Sequence, residues 1–161
     1  VSRHDANDIL KLRSSEQVMQ YIDKERAATI VDAEAFINKI IQSLNNNDGI
    51  TWAITLREEP HTLIGTIGYW RLVKDHHRAE IGYMLSPDHW KKGIMKEELL
   101  KIIEVGFDLL KLHSIEANIN PENEASAGIL TGTGFEKEAN FKENFFYNGS
   151  FRDTEINSRL K

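Results

Sequence analysis

A strand pattern gives way to the longest helical stripe of the chain across one short polar turn, and this junction constrains the fold more than any other stretch. RAEIGYML, Arg78 to Leu85, alternates so that Ala79, Ile81, Tyr83 and Leu85 share one face while Glu80 and Met84 share the other. Beyond Gly93 the residues Met95, Leu99, Ile102, Ile103, Phe107 and Leu110 recur at helical spacing, which predicts a helix of about five turns. A strand that feeds a helix in this way belongs to a mixed α/β domain.

The rest of the chain fits that class. Asp5 and Asp8 open a helical stretch carrying Ile9, Leu10 and Leu12, and the Ser14 to Gln17 spacing of a capping box precedes Val18, Met19 and Ile22. A longer helix is predicted after Asp32, with Phe36, Ile37, Ile40, Ile41 and Leu44 on one stripe until NNNDG stops it. Thr51–Leu56 and Thr62–Val73 read as a hairpin around the polar turn REEPH, and Arg78–Leu85 adds a third strand. His113–Ile119 is strand-like again. A short helix is predicted from about Asn123 to the glycines of TGTGF, and Asn148-Gly149 in the tail is a strong hairpin signal. No repeat or linker interrupts this order, so residues 1–161 are expected to form a single domain on one sheet.

The formal charge of −5, from 20 basic and 25 acidic side chains spread along the chain, disfavours nucleic acid and mildly favours a cationic substrate. With no cysteine there is no disulfide, thiol nucleophile or cysteine-ligated metal. No apolar run reaches the roughly 20 residues of a membrane span, and VSRHDANDIL lacks a signal-peptide core, so a cytoplasmic protein without membrane contact is expected. The chain opens on valine, which leaves room for a first strand ahead of it. His76-His77 is a charged turn without the spacing of a helical metal pair, and no metal site is expected. Trp52, Trp70 and Phe145–Tyr147 read as core or groove walls rather than a base-stacking platform. Oligomeric state, monomer or homodimer, is open.

The turn before the long helix holds Lys91, Lys92 and Gly93 in an otherwise acidic chain. A helix N-terminus with free amides and a glycine that lets the backbone come close is a ready anion site. An ordinary solvated turn explains the same residues, and spacing alone leaves the two readings even.

RAEIGYMLSPDHWKKGIMKEEL, followed after the helix by LHSIEANINPENEAS and then GF, resembles the GNAT superfamily of N-acetyltransferases over nearly the whole chain. It is most similar to the RimJ/RimL type, which acetylates α-amino termini of ribosomal proteins. The resemblance implies a mostly antiparallel sheet with splayed central strands and acetyl-CoA as cofactor. Tyr83, Met84 and Leu85 would lend backbone groups to the pantetheine arm. The loop Trp90, Lys91, Lys92, Gly93, Ile94 and Met95 would hold the pyrophosphate, with Trp90 in place of the family's Gln or Arg and Met95 in place of a small residue. Asn120 would lie beside the cofactor, and Asn123 and Ser126 match the Asn-x-x-Ser that faces the thioester; Asn123 is equally suited to capping the short helix. Gly128 and Gly132 depart from the helical pattern there, Gly128 at about 1 kcal/mol relative to alanine.

The resemblance also supplies catalytic candidates. Glu80 and Glu116 each match a carboxylate that members of the superfamily use as base; either is equally a solvated strand residue or a partner of Arg78. Ser126 is the candidate donor to the departing thiolate, with Tyr83 and Tyr147 as alternatives. A free α-amine titrates near 7.7 to 8.0 and a lysine near 10.4, so deprotonating lysine at neutral pH costs roughly 3 to 4 kcal/mol more. The expected acceptor is a protein N-terminus, with a small cationic amine such as a polyamine or aminoglycoside as the alternative. A catalytically silent acyl-CoA-binding module is the reading from another class; it would bind without turnover.

Overall fold

A computed structural model describes all 161 residues. Helices α1 (Ala6–Ser14), α2 (Glu16–Met19) and α3 (Ile30–Asn45) precede strands β1 (Ile50–Ile54), β2 (Gly65–Val73) and β3 (Arg78–Leu85). Helix α4 (Ile94–Glu104), strand β4 (Ser114–Ile119), helix α5 (Glu124–Thr131) and the hairpin β5 (Glu136–Tyr147) and β6 (Ser150–Leu160) complete the chain. The strands form one six-stranded sheet in the order β1-β2-β3-β4-β6-β5, antiparallel throughout except where β4 returns beside β3. That one parallel pairing follows from the connection, because α4 carries the chain back along the sheet between the two strands.

Strand alternation divides the apolar residues between two clusters. Ile67, Tyr69, Ile81, Leu85, Ile115 and Ala117 pack with the α4 side chains Met95, Leu99, Ile102 and Ile103 on one face. Ile9 and Leu12 of α1 and Ala33 and Ile37 of α3 pack with Leu63 on the other, with Ala53 and Met84 against them. Tyr69 is fully buried, and its hydroxyl donates to the Ile102 carbonyl at 2.8 Å, fastening α4 to the sheet. The long helix runs on past Glu104 as a π-helical turn, Val105–Leu109, which accounts for the predicted length.

Several local expectations shift. The cap of α2 is Ser15, whose hydroxyl accepts from the Val18 amide, while the Ser14 hydroxyl donates to the Lys11 carbonyl. Helix α3 begins two residues ahead of Asp32, which is the third helical residue of a capping box with Thr29. β2 starts at Gly65 rather than Thr62, with Leu63 and Ile64 buried ahead of it. Asn148 and Gly149 both adopt positive φ, 49° and 81°, the geometry of the tight hairpin turn that Asn-Gly favours. The aromatics around that turn are not core: Phe146 and Phe151 are 61% and 62% exposed and meet edge to face.

The feature that positions the site is an interruption. β3 and β4 pair over three rungs only, Arg78 with Ser114, Ala79 with Ile115 and Glu80 with Glu116. Beyond them β3 continues to Leu85 on β2, and β4 continues to Ile119 on β6. The sheet therefore divides into two halves whose central strands part after Glu80 and Glu116, as the resemblance implied.

Candidate active site

The divergent strand ends, the loop before α4 and the first turn of α5 meet at the mouth of this division. In the loop, Lys91 and Gly93 take left-handed backbone conformations, φ 59° and 82°, and Gly93 is the N-cap of α4. No side chain caps that helix end, so the amides of its first turn remain available to a ligand. A Cβ added at Gly93 would meet nothing within 4 Å, which leaves the approach to these amides open. Lys91 and Lys92 are exposed beside them. A turn of bare amides at the positive end of a helix, flanked by two ammonium groups, fits a diphosphate.

The loop is fixed to the strand it follows. The Trp90 indole N–H donates to the Leu85 carbonyl at 2.8 Å, so its ring spans from loop to strand end. The Met95 side chain, expected near the cofactor, is 7% exposed and belongs to the core, and Ile94 packs against the same core. Only the backbone amides of these two residues face the helix entrance.

Ser126 is buried on α5, and its Oγ lies 2.6 Å from the Tyr83 hydroxyl of β3. The two hydroxyls join β3 to α5 across the opened sheet. Burial pushes the Tyr83 hydroxyl above its ordinary value, and the hydrogen bond to Ser126 opposes the rise. Asn123 is the cap of α5: its Oδ1 accepts from the Ser126 amide at 3.1 Å. The capping alternative is realised, and it places Ser126. At the other end of α5, the Thr133 hydroxyl donates to the Ile129 and Leu130 carbonyls, closing the helix that Gly128 weakens. Asn120 turns its Oδ1 back to the Glu122 amide at 2.9 Å and lines a polar cavity of about 420 Å³ with Glu122, Arg152 and Asp153. Tyr147 sits in the hairpin pairing with Ser150, beside the turn, and it is Tyr83 that meets the Ser126 hydroxyl.

The two carboxylates occupy the last rung before the strands part, in unlike surroundings. Glu116 is partly exposed and accepts from Arg78 Nη1 at 2.7 Å, the pairing that the sequence offered as its alternative. Glu80 is only 6% exposed. Arg71 Nη2 lies 3.3 Å from Glu80 Oε2, close enough for an ion pair but without hydrogen-bond geometry, and Oε2 has no hydrogen-bond partner. Burial raises the Glu80 carboxyl above the ordinary glutamate value; Arg71 and Asn118 oppose the rise, Glu116 adds to it, and Trp70 opposes it. The sequence could not show this asymmetry, because it arises from what covers each strand. Asn118, two residues beyond Glu116 on β4, was not singled out from the sequence, although the alternation of β4 places it on the Glu116 face.

The Acetyltransferase (GNAT) domain model matches residues 1–136. The chain is 35% identical over 161 residues to the uncharacterized N-acetyltransferase YoaA of Bacillus subtilis (strain 168), covering 100% of this chain and 90% of that protein. It is 32% identical over 92 residues to the ribosomal protein uS5-alanine N-acetyltransferase of Escherichia coli (strain K12), 56% of this chain and 47% of that one. Its fold matches the Vibrio cholerae spermidine N-acetyltransferase crystallised with CoA and spermine at a TM-score of 0.86 and 23% identity, over 99% of this chain and 92% of that one. The chain belongs to the GNAT acetyltransferase family: it is an N-acetyltransferase whose acyl donor is acetyl-CoA. The relatives acting on ribosomal protein and on spermidine lie on either side of the expected RimJ/RimL assignment, and family membership does not select that branch.

Proposed function

We propose that this enzyme acetylates the α-amine of a protein N-terminus, with Glu80 as general base and the Tyr83–Ser126 pair facing the departing thiolate. The carrying observation is Glu80 itself, a buried carboxyl of raised pKa with an unpartnered oxygen at the point where the strands part. A base works best when its pKa approaches the working pH, and burial moves Glu80 in that direction. An α-amine, already close to neutral, asks little more of it.

Acetyl-CoA supplies an acyl group activated as a thioester. The amides at the entrance of α4, with Lys91 and Lys92, would hold its diphosphate, and the unpaired edge of β3 at Tyr83, Met84 and Leu85 would accept its pantetheine arm. These contacts fix the position of the reacting carbon, which is the larger part of what an acyl transfer needs from a protein. The Tyr83–Ser126 pair keeps one hydroxyl proton free whichever member donates to the other. A tyrosine raised above about 10 is a weaker acid than a thiol near 8.5, so the pair steadies the thiolate by hydrogen bonding rather than by giving up a proton.

The preference for an N-terminus rests on charge. Both carboxylates at the rung already face an arginine, which leaves an acceptor for one amine but no row of free carboxylates for the several charges of a polyamine. A polyamine is the second reading, supported by the net charge of −5 and by the fold shared with the spermidine enzyme. Thiol release from acetyl-CoA with alanyl, seryl and methionyl peptides, spermidine and an aminoglycoside tests both. Release with peptides alone is the expected result. Release with spermidine alone would replace the acceptor, and binding without release would point to a silent acyl-CoA-binding module.

A further inference from the structure

We propose that Asn118 is part of the acceptor site, its Oδ1 and Glu80 Oε2 together seating a primary amine where β3 and β4 diverge. The inference rests on the acetyltransferase reading and adds a residue, Asn118, to its amine site.

Two side-chain oxygens near the division are shut off from solvent and accept no hydrogen bond: Asn118 Oδ1 and Glu80 Oε2, the latter with Arg71 Nη2 at 3.3 Å as its ion-pair partner. Burying an acceptor without a donor is unfavourable, and native interiors seldom leave one so. Here two occur side by side. Glu80 pairs with Glu116 across the last rung, and Asn118 stands one pleat further on the same face of β4. The Asn118 side chain opposes the rise of the Glu80 carboxyl, so the two side chains are neighbours. Past that rung β3 and β4 no longer pair with each other, so the two oxygens lie where the sheet opens, and an amine reaches them by displacing the side chains that cover them.

The surroundings favour a donor with one positive charge. Arg71 and Arg78 balance Glu80 and Glu116, so an arriving ammonium meets one buried carboxylate oxygen and one neutral carbonyl oxygen. Trp70 closes the β2 side: its indole lies over Gly82, where a Cβ would come within 3.4 Å of Trp70 Cδ1. Trp70 is 52% exposed and Glu116 partly exposed, and the two flank the buried acceptors on the solvent side. Strand alternation puts Glu80, Glu116 and Asn118 on the sheet face opposite Tyr83. The amine therefore arrives from the α1–α3 side, and the thioester from the α4 side. A primary ammonium that passes one proton to Glu80 keeps two N–H groups, one for Asn118 Oδ1, and its lone pair is free to form the new N–C bond. Asn118 touches substrate here but exchanges no proton.

The test compares Asn118→Leu, which removes the acceptor at similar volume, with Asn118→Asp, which keeps an acceptor in the same place. An N-terminal alanyl peptide and spermidine serve as acceptor probes. Asn118→Leu is expected to raise the KM of the acetylated probe by about tenfold or more, as loss of a charge-assisted hydrogen bond does, with acetyl-CoA affinity within about twofold of wild type. Asn118→Asp is expected to hold the amine KM near the wild-type value. A purely structural role predicts that both variants lose thermal stability and acetyl-CoA affinity together, and that result would overturn the seat. So would an unchanged amine KM in Asn118→Leu; if that variant fails to fold, Asn118→Val, which also lacks an acceptor, carries the same comparison. Absence of thiol release by the wild-type enzyme with either probe sinks both the seat and the acceptor assignment. An active wild type with an insensitive Asn118 sinks the seat alone.

Discussion

Glu80 and Glu116 are Cα partners on the last rung of the parallel β3–β4 ladder, yet one is buried with an unpartnered oxygen and the other is held by Arg78 at 2.7 Å. Two carboxylates that face each other at the parting of the strands thus differ in what they can do. Both face an arginine, but only Glu116 is hydrogen-bonded to its own, whereas Arg71 lies 3.3 Å from Glu80 Oε2 without hydrogen-bond geometry and leaves that oxygen free to accept a proton.

The pH dependence follows from that difference. Burial holds the folded-state Glu80 carboxyl above its unfolded value, despite Arg71, Asn118 and Trp70 and with help from Glu116. Its contribution to stability is therefore complete below the ordinary carboxylate range near 4.3 and is lost as pH rises through the raised value. Glu80→Gln lacks this loss, so its Tm relative to wild type should increase as pH rises from the ordinary carboxylate range through the raised Glu80 value. In the same variant the acidic limb of the kcat/KM profile should disappear, whereas Glu116→Gln should retain it. Thermal melts and pH–rate profiles of both variants check this.

Removing either member of the hydroxyl pair should slow turnover without loosening the donor. Tyr83→Phe and Ser126→Ala each remove a hydrogen bond that supports a developing anion, a contribution of about 1.5 to 3 kcal/mol, or roughly ten- to hundredfold in kcat. Because the hydroxyls act as a unit at 2.6 Å, the double variant should lose much less than the product of the single losses. Kinetics of the double-mutant cycle, with acetyl-CoA binding by calorimetry alongside, decide it.

Much of this framework is written in local pattern. The alternation of Arg78–Leu85 and the Asn148-Gly149 turn each specify their element because the signal is short-ranged, and both elements stand where that pattern places them. The stripe from Met95 to Leu110 specifies a helix but not its π-helical end. That turn brings Gly106 against Tyr69, a residue from the sheet. Ser14 and Ser15 are indistinguishable caps until the chain direction between α1 and α2 is fixed. Of the site, the resemblance supplied the residue types, while their states depended on distant neighbours. Tyr83 meets Ser126 across 43 residues, and Glu80 owes its burial to β2 and β4 rather than to RAEIGY.

Gly106 offers a control for the fold alone. A Cβ there would run into the Tyr69 hydroxyl and come within 3.0 Å of its Cζ and 3.1 Å of Ile115 Cδ1. Gly106→Ala should destabilise the protein by about 1 to 3 kcal/mol, as overpacked cores do. It should leave the acetyl-CoA affinity of the folded fraction unchanged. Urea denaturation and calorimetry measure the two quantities separately.

At Gly93 the order reverses. The site has room for a Cβ but a φ of 82°, so Gly93→Val carries backbone strain of about 1 to 2 kcal/mol without a clash. The side chain would stand at the helix entrance where the diphosphate is expected. Acetyl-CoA affinity should fall more than tenfold, well beyond the change in stability, and isothermal titration with parallel unfolding curves compares them.

The most direct measurement is a crystal structure with coenzyme A bound. The account predicts the diphosphate within hydrogen-bond distance of the backbone amides that follow Lys92, and the pantetheine arm between the parted ends of β3 and β4, its sulfur beside Tyr83 and Ser126. Coenzyme A bound elsewhere, or β3 and β4 closed against each other along their full length, would contradict it.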